Sequence, residues 1–312
     1  MTKTVIAMLL PLITLASFFT VPFSHGLTHQ QQELSLQYHG GLLLTSPINI
    51  YLTWYGSFSL DHKATIYEFL GSFGAKNLHQ QPTVSKWWTT IQKYKDSAGE
   101  PASSAVRIAI RTFDVNYSLG RTLTRASLAT LVKTSIAKKT FPFDPTGVYL
   151  VLTASDVAVD KFCMSSCGFH DAILVSPGKW AILAHIGDPW AQCPGLCAWP
   201  FATPAYGPNG PPLVSPNGLG ADGMIMNMAA VIAGAATNPR GDGYYQGDRL
   251  APLEAATACS GAFGDGAYPG YPGKLIVDRR TNASFNAYGA GGRNFLLPAI
   301  WDPVTGECKT IS

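Results

Sequence analysis

The N-terminal segment decides how the cysteines of this chain must be interpreted. Lys3 provides a single positive charge before an almost uninterrupted apolar stretch, and Ser24 and Gly26 supply small residues at the −3 and −1 positions of a cleavage site. This arrangement is typical of a secretory signal peptide. We therefore predict a signal peptide over residues 1–26 and a single secreted domain over residues 27–312.

A membrane anchor is the alternative interpretation of the same segment. Pro11 and Pro22 interrupt it and its apolar run is short, so a cleaved signal is favoured. We expect no membrane-spanning segment in the remainder of the chain. Charged residues make up only 13% of the sequence, with a formal net charge of +3, which is too little to predict binding to nucleic acid.

All six cysteines lie in the second half of the chain. They are Cys163, Cys167, Cys193, Cys197, Cys259 and Cys308. An even number in an oxidising compartment predicts disulfides, for which fifteen connectivities are possible. Setting aside the two Cys-x3-Cys motifs leaves Cys259 and Cys308 as the expected long-range bridge. The two motifs together also have the ligand spacing of a four-thiolate zinc site, a weaker alternative outside the reducing cytosol.

Hydrophobic periodicity in the first half predicts alternating strands and helices. The predicted strands cover residues 48–56, 106–113 and 148–153, and the predicted helices cover 64–73, a segment after Pro82, and 123–137. This order is typical of an α/β fold with a mixed, largely parallel central sheet flanked by helices. The second half is crowded with Pro and Gly, so we expect it to be loop-rich and held by disulfides.

One apolar helix is predicted within that loop-rich half, over residues 222–239. Asp222 is a suitable N-cap, Pro239 ends the run, and the interior is apolar on nearly every side. The segment is too short for a membrane and suits a buried core helix. The glycines at 218–223 match G-x-G-x-x-G, but no strand precedes them, so no dinucleotide cofactor is expected.

Residues that could perform catalysis are few and scattered. His170, His185 and Asp188 are weak candidates for lining a pocket, although a packed or solvated histidine is the more frequent situation. No hydrolase, zinc-protease or nucleotide-binding motif is present. The sequence alone therefore predicts no catalytic residue firmly.

Aromatic residues among Gly and Pro suggest a surface for sugars, because exposed rings stack on sugar faces. The aromatic residues in this setting are Trp190, Trp199, Tyr206, Tyr244, Tyr245, Tyr268, Tyr271 and Tyr288, and all of them except Tyr206 and Tyr288 are selected as possible glycan-binding residues. Packing beneath the loops is the alternative role for each ring. Two Asn-x-Ser sequons, at Asn116 and Asn282, predict N-glycosylation on exposed turns of a secreted chain.

The chain resembles the EXORDIUM or phosphate-induced proteins of plants over nearly all of its length after residue 26. The segments that carry the resemblance are INIYLTWYG at 48–56, VYLVLTASDV at 148–157, FC at 162–163, CG at 167–168, QCPGLCAWPF at 192–201, DGM at 222–224, ATNP at 236–239, GYYQG at 243–247, GAYPGY at 266–271 and NAYG at 286–289. The resemblance implies an extracellular protein of the cell wall or apoplast, linked to growth, cell expansion and brassinosteroid response. It implies no settled biochemical activity.

Some relatives of this kind carry His-Glu-x-x-Glu in the apolar helix, as a zincin-type metal helix does. The corresponding positions here are Ala230, Val231 and Gly234, which offer no ligand to a metal and no general base. The resemblance thus implies a degenerate zincin-like scaffold, and we expect neither a metal nor another cofactor at this helix.

Three functional hypotheses follow. The first is a non-catalytic protein that binds wall polysaccharide or an extracellular protein. The second is an extracellular hydrolase of wall protein or glycan with a site near His170 and His185. The third is a secreted ligand for a receptor.

Overall fold

In the computed structural model, which describes residues 34–75, 78–208 and 210–311, five strands form a central sheet. The predicted signal peptide, residues 1–26, lies outside the described residues. The strands are β1 (Ile48–Tyr55), β2 (Val106–Asp114), β3 (Val148–Thr153), β4 (Gly168–Ser176) and β5 (Lys179–Gly187). Their spatial order is β2-β1-β3-β5-β4, and only β4 runs antiparallel to its neighbour. The predicted mixed, largely parallel sheet is confirmed.

Helices cover both faces of this sheet. They are α1 (Leu60–Ser72), α2 (Val84–Trp88), α3 (Arg125–Ala137), α4 (Pro194–Cys197) and α5 (Leu219–Thr237). Helices α1 and α5 pack together on one face, and α3 lies on the other. Strands β1 and β3 are almost completely buried, because strands covered on two faces have no polar side to present to water.

Strand β2 forms one edge of the sheet and is its most exposed parallel strand. Arg107 and Arg111 lie exposed along it. The Arg107 side chain donates to Asn49 on β1 at 2.9 Å, and the Arg111 guanidinium lies 4.9 Å from the ring centroid of Tyr67. The edge is therefore bordered by two fixed positive charges.

The β4–β5 hairpin is the element of the sheet that the periodicity did not reveal. Pro177 and Gly178 form its two-residue connection, and Gly178 has a φ of +75°, a value that suits glycine. Strand β4 is only half-buried and its neighbour β5 is buried over most of its length. Neither strand alternates clearly between apolar and polar residues, so the sequence pattern alone did not predict them.

Apart from β4, β5, α4 and α5, the second half of the chain consists of loops, short 3-10 turns and strand pairs of two or three residues. The pairs join Gln37–Tyr38 with Tyr244–Tyr245, Ile276–Val277 with Ser284–Phe285, Ala287–Tyr288 with Asn294–Phe295, and Ile300–Asp302 with Glu307–Lys309. A fifth pair joins Thr122–Leu123 with Ala158–Val159. The short 3-10 turns are Ile91–Lys93, Thr257–Cys259 and Ala290–Gly292.

Three disulfides hold the loop-rich half together. Cys259 bonds Cys308, as predicted, while Cys163 bonds Cys193 and Cys167 bonds Cys197. The two Cys-x3-Cys motifs are thus bonded to each other. The alternative of a four-thiolate zinc site is wrong, because all four sulfur atoms are consumed in disulfides.

Helix α5 is the central element of the core on its face of the sheet. It begins at Leu219, so the prediction of Asp222 as its N-cap is wrong; Gly218 holds that position. The helix has 19 residues, and within the described part of the chain it is the one helix long and apolar enough to cross a membrane, contrary to the expectation that it is too short. Of its most apolar window, 78% is buried inside the protein, which identifies it as a core helix.

Candidate functional site

An open groove of about 510 Å3 lies between two loops of the disulfide-bonded half, and we call it the aromatic groove. It is lined by Gly195, Leu196, Trp199, Pro204, Tyr206, Gly207, Pro208, Ser260, Gly261, Ala262, Ala267, Tyr268, Pro269 and Gly270. One wall is α4 with the loop that follows it, and the other is the loop after Cys259. Disulfides anchor both walls.

Close backbone contacts fix the shape of the aromatic groove. Gly270 has a φ of +89°, and a Cβ added there would lie 2.9 Å from the Pro208 ring of the opposite wall. A Cβ at Gly195 would lie 2.6 Å from the carbonyl oxygen of Thr203. Glycine at 270 is therefore needed for the two walls to approach this closely, and glycine at 195 lets the loop after α4 fold back against that helix.

The aromatic side chains of the groove are partly anchored and partly free. The Trp199 ring packs against buried Phe263 at 6.0 Å between centroids, and Tyr268 packs against Tyr271 at 5.1 Å. Tyr206 is 84% exposed and Tyr268 is 65% exposed. Rings held at one side and open to solvent at the other are suited to stacking on a ligand.

No lining residue of the aromatic groove carries a charge. The available polar groups are the Ser260 hydroxyl, the two phenols and backbone amides. Such a surface can stack on the apolar face of a sugar ring and bond its hydroxyls, whereas it offers no counter-ion to a charged ligand.

The sequence-predicted aromatic residues divide into three groups. Trp199 and Tyr268 line the groove, and Tyr271 supports Tyr268. Trp190 is 60% exposed but lies outside the groove, beside Asp188. Tyr244 and Tyr245 stack on Tyr38 and His39 and fasten the start of the described chain, so their rings are engaged in packing. Tyr206, which the sequence analysis also placed among the aromatic residues of the loops, lines the groove as well.

His170 lies on β4 and forms a pair with Glu254. Its Nε2 atom is 3.0 Å from each carboxylate oxygen of Glu254, and the two side chains are 9% and 11% exposed. Burial by itself lowers the pKa of His170, but the nearby carboxylate outweighs burial and raises that pKa above its usual value. Asn238 donates a further hydrogen bond to Glu254 at 2.7 Å. The pair is thus a buried ion pair.

His185 lies on the opposite face of the sheet. It is paired in register with Phe169, the neighbour of His170, and adjacent residues of a strand point to opposite faces. Its Nε2 is 2.9 Å from the hydroxyl of Thr153, and burial lowers its pKa to about 3, so it is neutral. His170 and His185 therefore do not share a cleft.

Asp188 is paired instead with His62, a residue that the sequence analysis did not select. Asp188 directly follows β5 and His62 is in the first turn of α1, so both lie at the carboxyl edge of the parallel strands. His62 Nδ1 is 3.9 Å from Asp188 Oδ2, and Nε2 is buried without a hydrogen-bond partner among the described residues. Burial lowers the pKa of His62 and raises the pKa of Asp188. The only sequence signal was the position of His62 just after a predicted strand.

Asp222 lies near this edge, in the first turn of α5. Its carboxylate accepts hydrogen bonds at 2.8 Å from the backbone N–H and from the side-chain amide of Asn217. Burial raises the pKa of Asp222 to about 7, although these bonds and nearby Arg293 oppose the increase. Arg293 itself pairs with Asp61 and Glu68, each at 2.7 Å.

The sequence analysis compared three positions of α5, Ala230, Val231 and Gly234, with a zincin-type metal helix. Val231 is buried and Ala230 is half-buried in the core, and Gly234 faces the His170–Glu254 pair. A Cβ at Gly234 would lie 2.5 Å from Glu254 Oε2 and 2.9 Å from His170 Nε2. Among the described residues, no three His, Cys, Asp or Glu side chains converge in a way that could hold a metal ion.

Comparison with known proteins gives consistent matches along the whole described chain. The family model for the phosphate-induced protein 1 conserved region matches residues 36–311. The protein PHOSPHATE-INDUCED 1 of Nicotiana tabacum is 43% identical over 97% of this chain and 98% of its own length. EXORDIUM of Arabidopsis thaliana is 45% identical over 88% of this chain and 89% of its own length, and EXORDIUM-like 2 is 42% identical over 94% and 95%. No solved structure shows a significant match.

Proposed function

The chain belongs to the phosphate-induced protein 1 family, which includes the EXORDIUM proteins, and we propose that it is a secreted cell-wall protein that binds wall polysaccharide through the aromatic groove. One observation carries this proposal: three aromatic rings line a charge-free groove whose walls are anchored by disulfides. The two rings held by a neighbouring ring, Trp199 and Tyr268, lose little conformational entropy on binding, which favours recognition of a sugar chain.

Secretion is supported by the disulfides together with the signal-like segment at residues 1–26. Three disulfides and no free cysteine among the described residues suit an oxidising compartment. Asn116 and Asn282 are both exposed, so their sequons are accessible for glycosylation. The proposed location is the apoplast, and the proposed physiological association with growth, cell expansion and brassinosteroid response rests on the family resemblance.

A binding role is favoured over turnover by the composition of α5. Ala230, Val231 and Gly234 supply neither a metal ligand nor a general base. We propose that the scaffold is a degenerate zincin-like one that retains the core helix as a structural element.

The test is retention on insoluble or immobilised glycans. Trp199→Ala and Tyr268→Ala should each weaken binding to a neutral wall glucan such as xyloglucan about fivefold, because each removes a stacking ring worth roughly 1 kcal/mol. Trp180→Ala is the matched control, since Trp180 is 40% exposed and lies outside the groove. Absence of binding to every neutral wall glycan would refute the proposal.

A hydrolase remains the second candidate, with its site moved to the His62–Asp188 pair. The observation that favours it is the buried, unpartnered Nε2 of His62 at the carboxyl edge of the parallel strands, where α/β proteins commonly bind ligands. Release of reducing ends or peptides that is abolished by His62→Gln would establish this candidate. If the protein is instead a receptor ligand, which is the third hypothesis, the Trp199→Ala variant should signal as well as the wild type.

A further inference from the structure

A second groove, of about 420 Å3, lies across two short hairpins of the C-terminal region and contains two adjacent arginines. Its lining includes Gln80, Asp278, Arg279, Arg280, Tyr288 and Asn294. We call it the arginine groove. It shares no lining residue with the aromatic groove.

A tight turn presents the two arginines. Asp278 Oδ1 accepts hydrogen bonds from the backbone N–H of Arg280 at 2.7 Å and of Thr281 at 3.2 Å. The carbonyl oxygen of Asp278 accepts from the N–H of Asn282, and its own N–H donates to Ala283. The two bonds to the carboxylate lower the pKa of Asp278. All four bonds close the turn, so the backbone that carries Arg279 and Arg280 is fixed.

The Asp278 carboxylate lies in the same groove and attracts Arg280, so it offsets one of the two positive charges and leaves a net charge of +1. Across the described residues, no carboxylate oxygen lies within 4.0 Å of the guanidinium of Arg279 or Arg280, whereas Arg293, close by in sequence, has two carboxylate partners. The Asp278 carboxylate is directed to backbone N–H groups of its own turn. Two exposed guanidinium groups are therefore available to a carboxylate from outside, which they can bind through paired hydrogen bonds.

The remainder of the lining suits a sugar ring. Tyr288 is half-buried, its ring packs on Phe285 at 5.1 Å, and its backbone N–H donates to the Pro82 carbonyl, so the ring is held in place. The amides of Gln80 and Asn294 can bond hydroxyl groups. Paired arginines can also bind phosphate, but many phosphate sites add several free backbone N–H groups. In this turn, those of Arg280 and Thr281 are already bonded to Asp278.

We propose that the arginine groove binds a polysaccharide whose sugar units bear carboxylates, a polyuronate. The guanidinium groups of Arg279 and Arg280 pair with the carboxylates, and Tyr288 packs against the sugar ring. The site is independent of the aromatic groove, so the chain carries one surface for neutral glycan and another for acidic glycan.

The test compares polygalacturonate with the same polymer after full methyl esterification, which removes the charge and keeps the sugar. The full-length secreted protein, with any glycan on Asn282 removed enzymatically because that residue lies in the same turn as the arginines, should bind polygalacturonate at least tenfold more tightly than the ester. Arg279→Gln/Arg280→Gln should remove this preference. Lys138→Gln/Lys139→Gln is the matched control, because it removes the same net charge from two exposed lysines on another surface.

Three results would overturn the proposal: equal binding of both polymers, unchanged binding by the arginine variant, or displacement of the polymer by an equimolar concentration of inorganic phosphate. Unchanged melting temperature and unchanged xyloglucan binding by the arginine variant show that it is folded. Trp199→Ala should retain full polygalacturonate binding. If the aromatic groove does not bind neutral glycan, polygalacturonate binding by the arginine groove is unaffected. Each of the two proposals can therefore be refuted without the other.

Discussion

The Nε2 atom of His170 lies 3.0 Å from both carboxylate oxygens of Glu254, directly against the turn of α5 at which Gly234 leaves room for them. The pair joins the edge strand β4 to the loop that precedes the 3-10 turn at Thr257–Cys259. It is a buried ion pair at a position where any larger residue on α5 would collide. The space beside Gly234 is therefore filled by this pair.

Replacing Glu254 with Gln should destabilise the protein in a pH-dependent way. The folded pKa of His170 is raised, so the stabilisation from its protonated form is complete below about pH 6.5 and is lost as the pH rises through the folded value. We expect Glu254→Gln to lower the free energy of unfolding by about 3 kcal/mol at pH 5.5 and by less at pH 9. Denaturant titrations at both values measure this, with exposed Glu100→Gln as control. A difference that does not vary with pH would contradict it.

Asp222 should titrate near neutrality in the folded protein. Its folded pKa of about 7 exceeds the ordinary value of 3.8, so its stabilising contribution is complete below about pH 4 and is lost as the pH rises through 7. The free energy of unfolding of Asp222→Asn, measured relative to that of the wild type, should therefore rise by roughly 2–4 kcal/mol between pH 4 and pH 8. Carboxyl NMR titration gives the pKa directly. A midpoint near 4 would show that the buried carboxylate is stabilised better than we infer.

Gly270→Ala should weaken glycan binding more than Gly247→Ala, a variant outside the groove. Both positions have a positive φ, +89° and +86°, so both variants incur a similar backbone cost of about 1 kcal/mol. Only the Cβ at 270 meets the opposite wall, at Pro208, whereas no atom lies within 4 Å of a Cβ at 247. The melting temperature should fall in both variants, and further for Gly270→Ala because the Pro208 wall has to move, while the affinity for xyloglucan falls several-fold for Gly270→Ala alone. Equal affinities would exclude the wall contact as a determinant of the groove.

Removing one disulfide should affect the aromatic groove before it affects the sheet. Cys167→Ala/Cys197→Ala frees the end of α4, which carries two lining residues, and should lower the free energy of unfolding by about 3 kcal/mol. The far-UV circular dichroism should be unchanged at 25 °C, because β1, β2, β3, α1 and α3 contain no cysteine and contribute to one continuous buried core. Glycan affinity should fall. Retained affinity would show that the remaining contacts are enough to shape the groove.

The parts of the fold that could be predicted from the sequence are those set by local composition. The apolar runs at residues 48–55 and 148–153 predicted buried strands, because strands covered on both faces need apolar residues throughout. The apolar α5 likewise predicted a core helix. The Asp222 N-cap failed because the glycine-rich approach allows the helix to begin one turn earlier.

The groove and the charged pairs depend on contacts between distant segments, which periodicity does not encode. Trp199 and Tyr268 meet across loops that are 69 residues apart, and their joint role follows from the disulfides and the Gly270–Pro208 contact. His170 and Glu254 are 84 residues apart, and Asp188 meets His62 across the sheet edge. Sequence alone could identify candidate residue types but not these partners.

The two arginines along β2 have a consequence for behaviour at high local concentration. An uncovered strand at the margin of a sheet can recruit a second molecule through its free N–H and C=O groups, and fixed charges oppose such recruitment. Asn116 follows the strand by two residues, so an attached oligosaccharide would shield the same margin. The two arginines thereby disfavour self-association through this margin of the sheet.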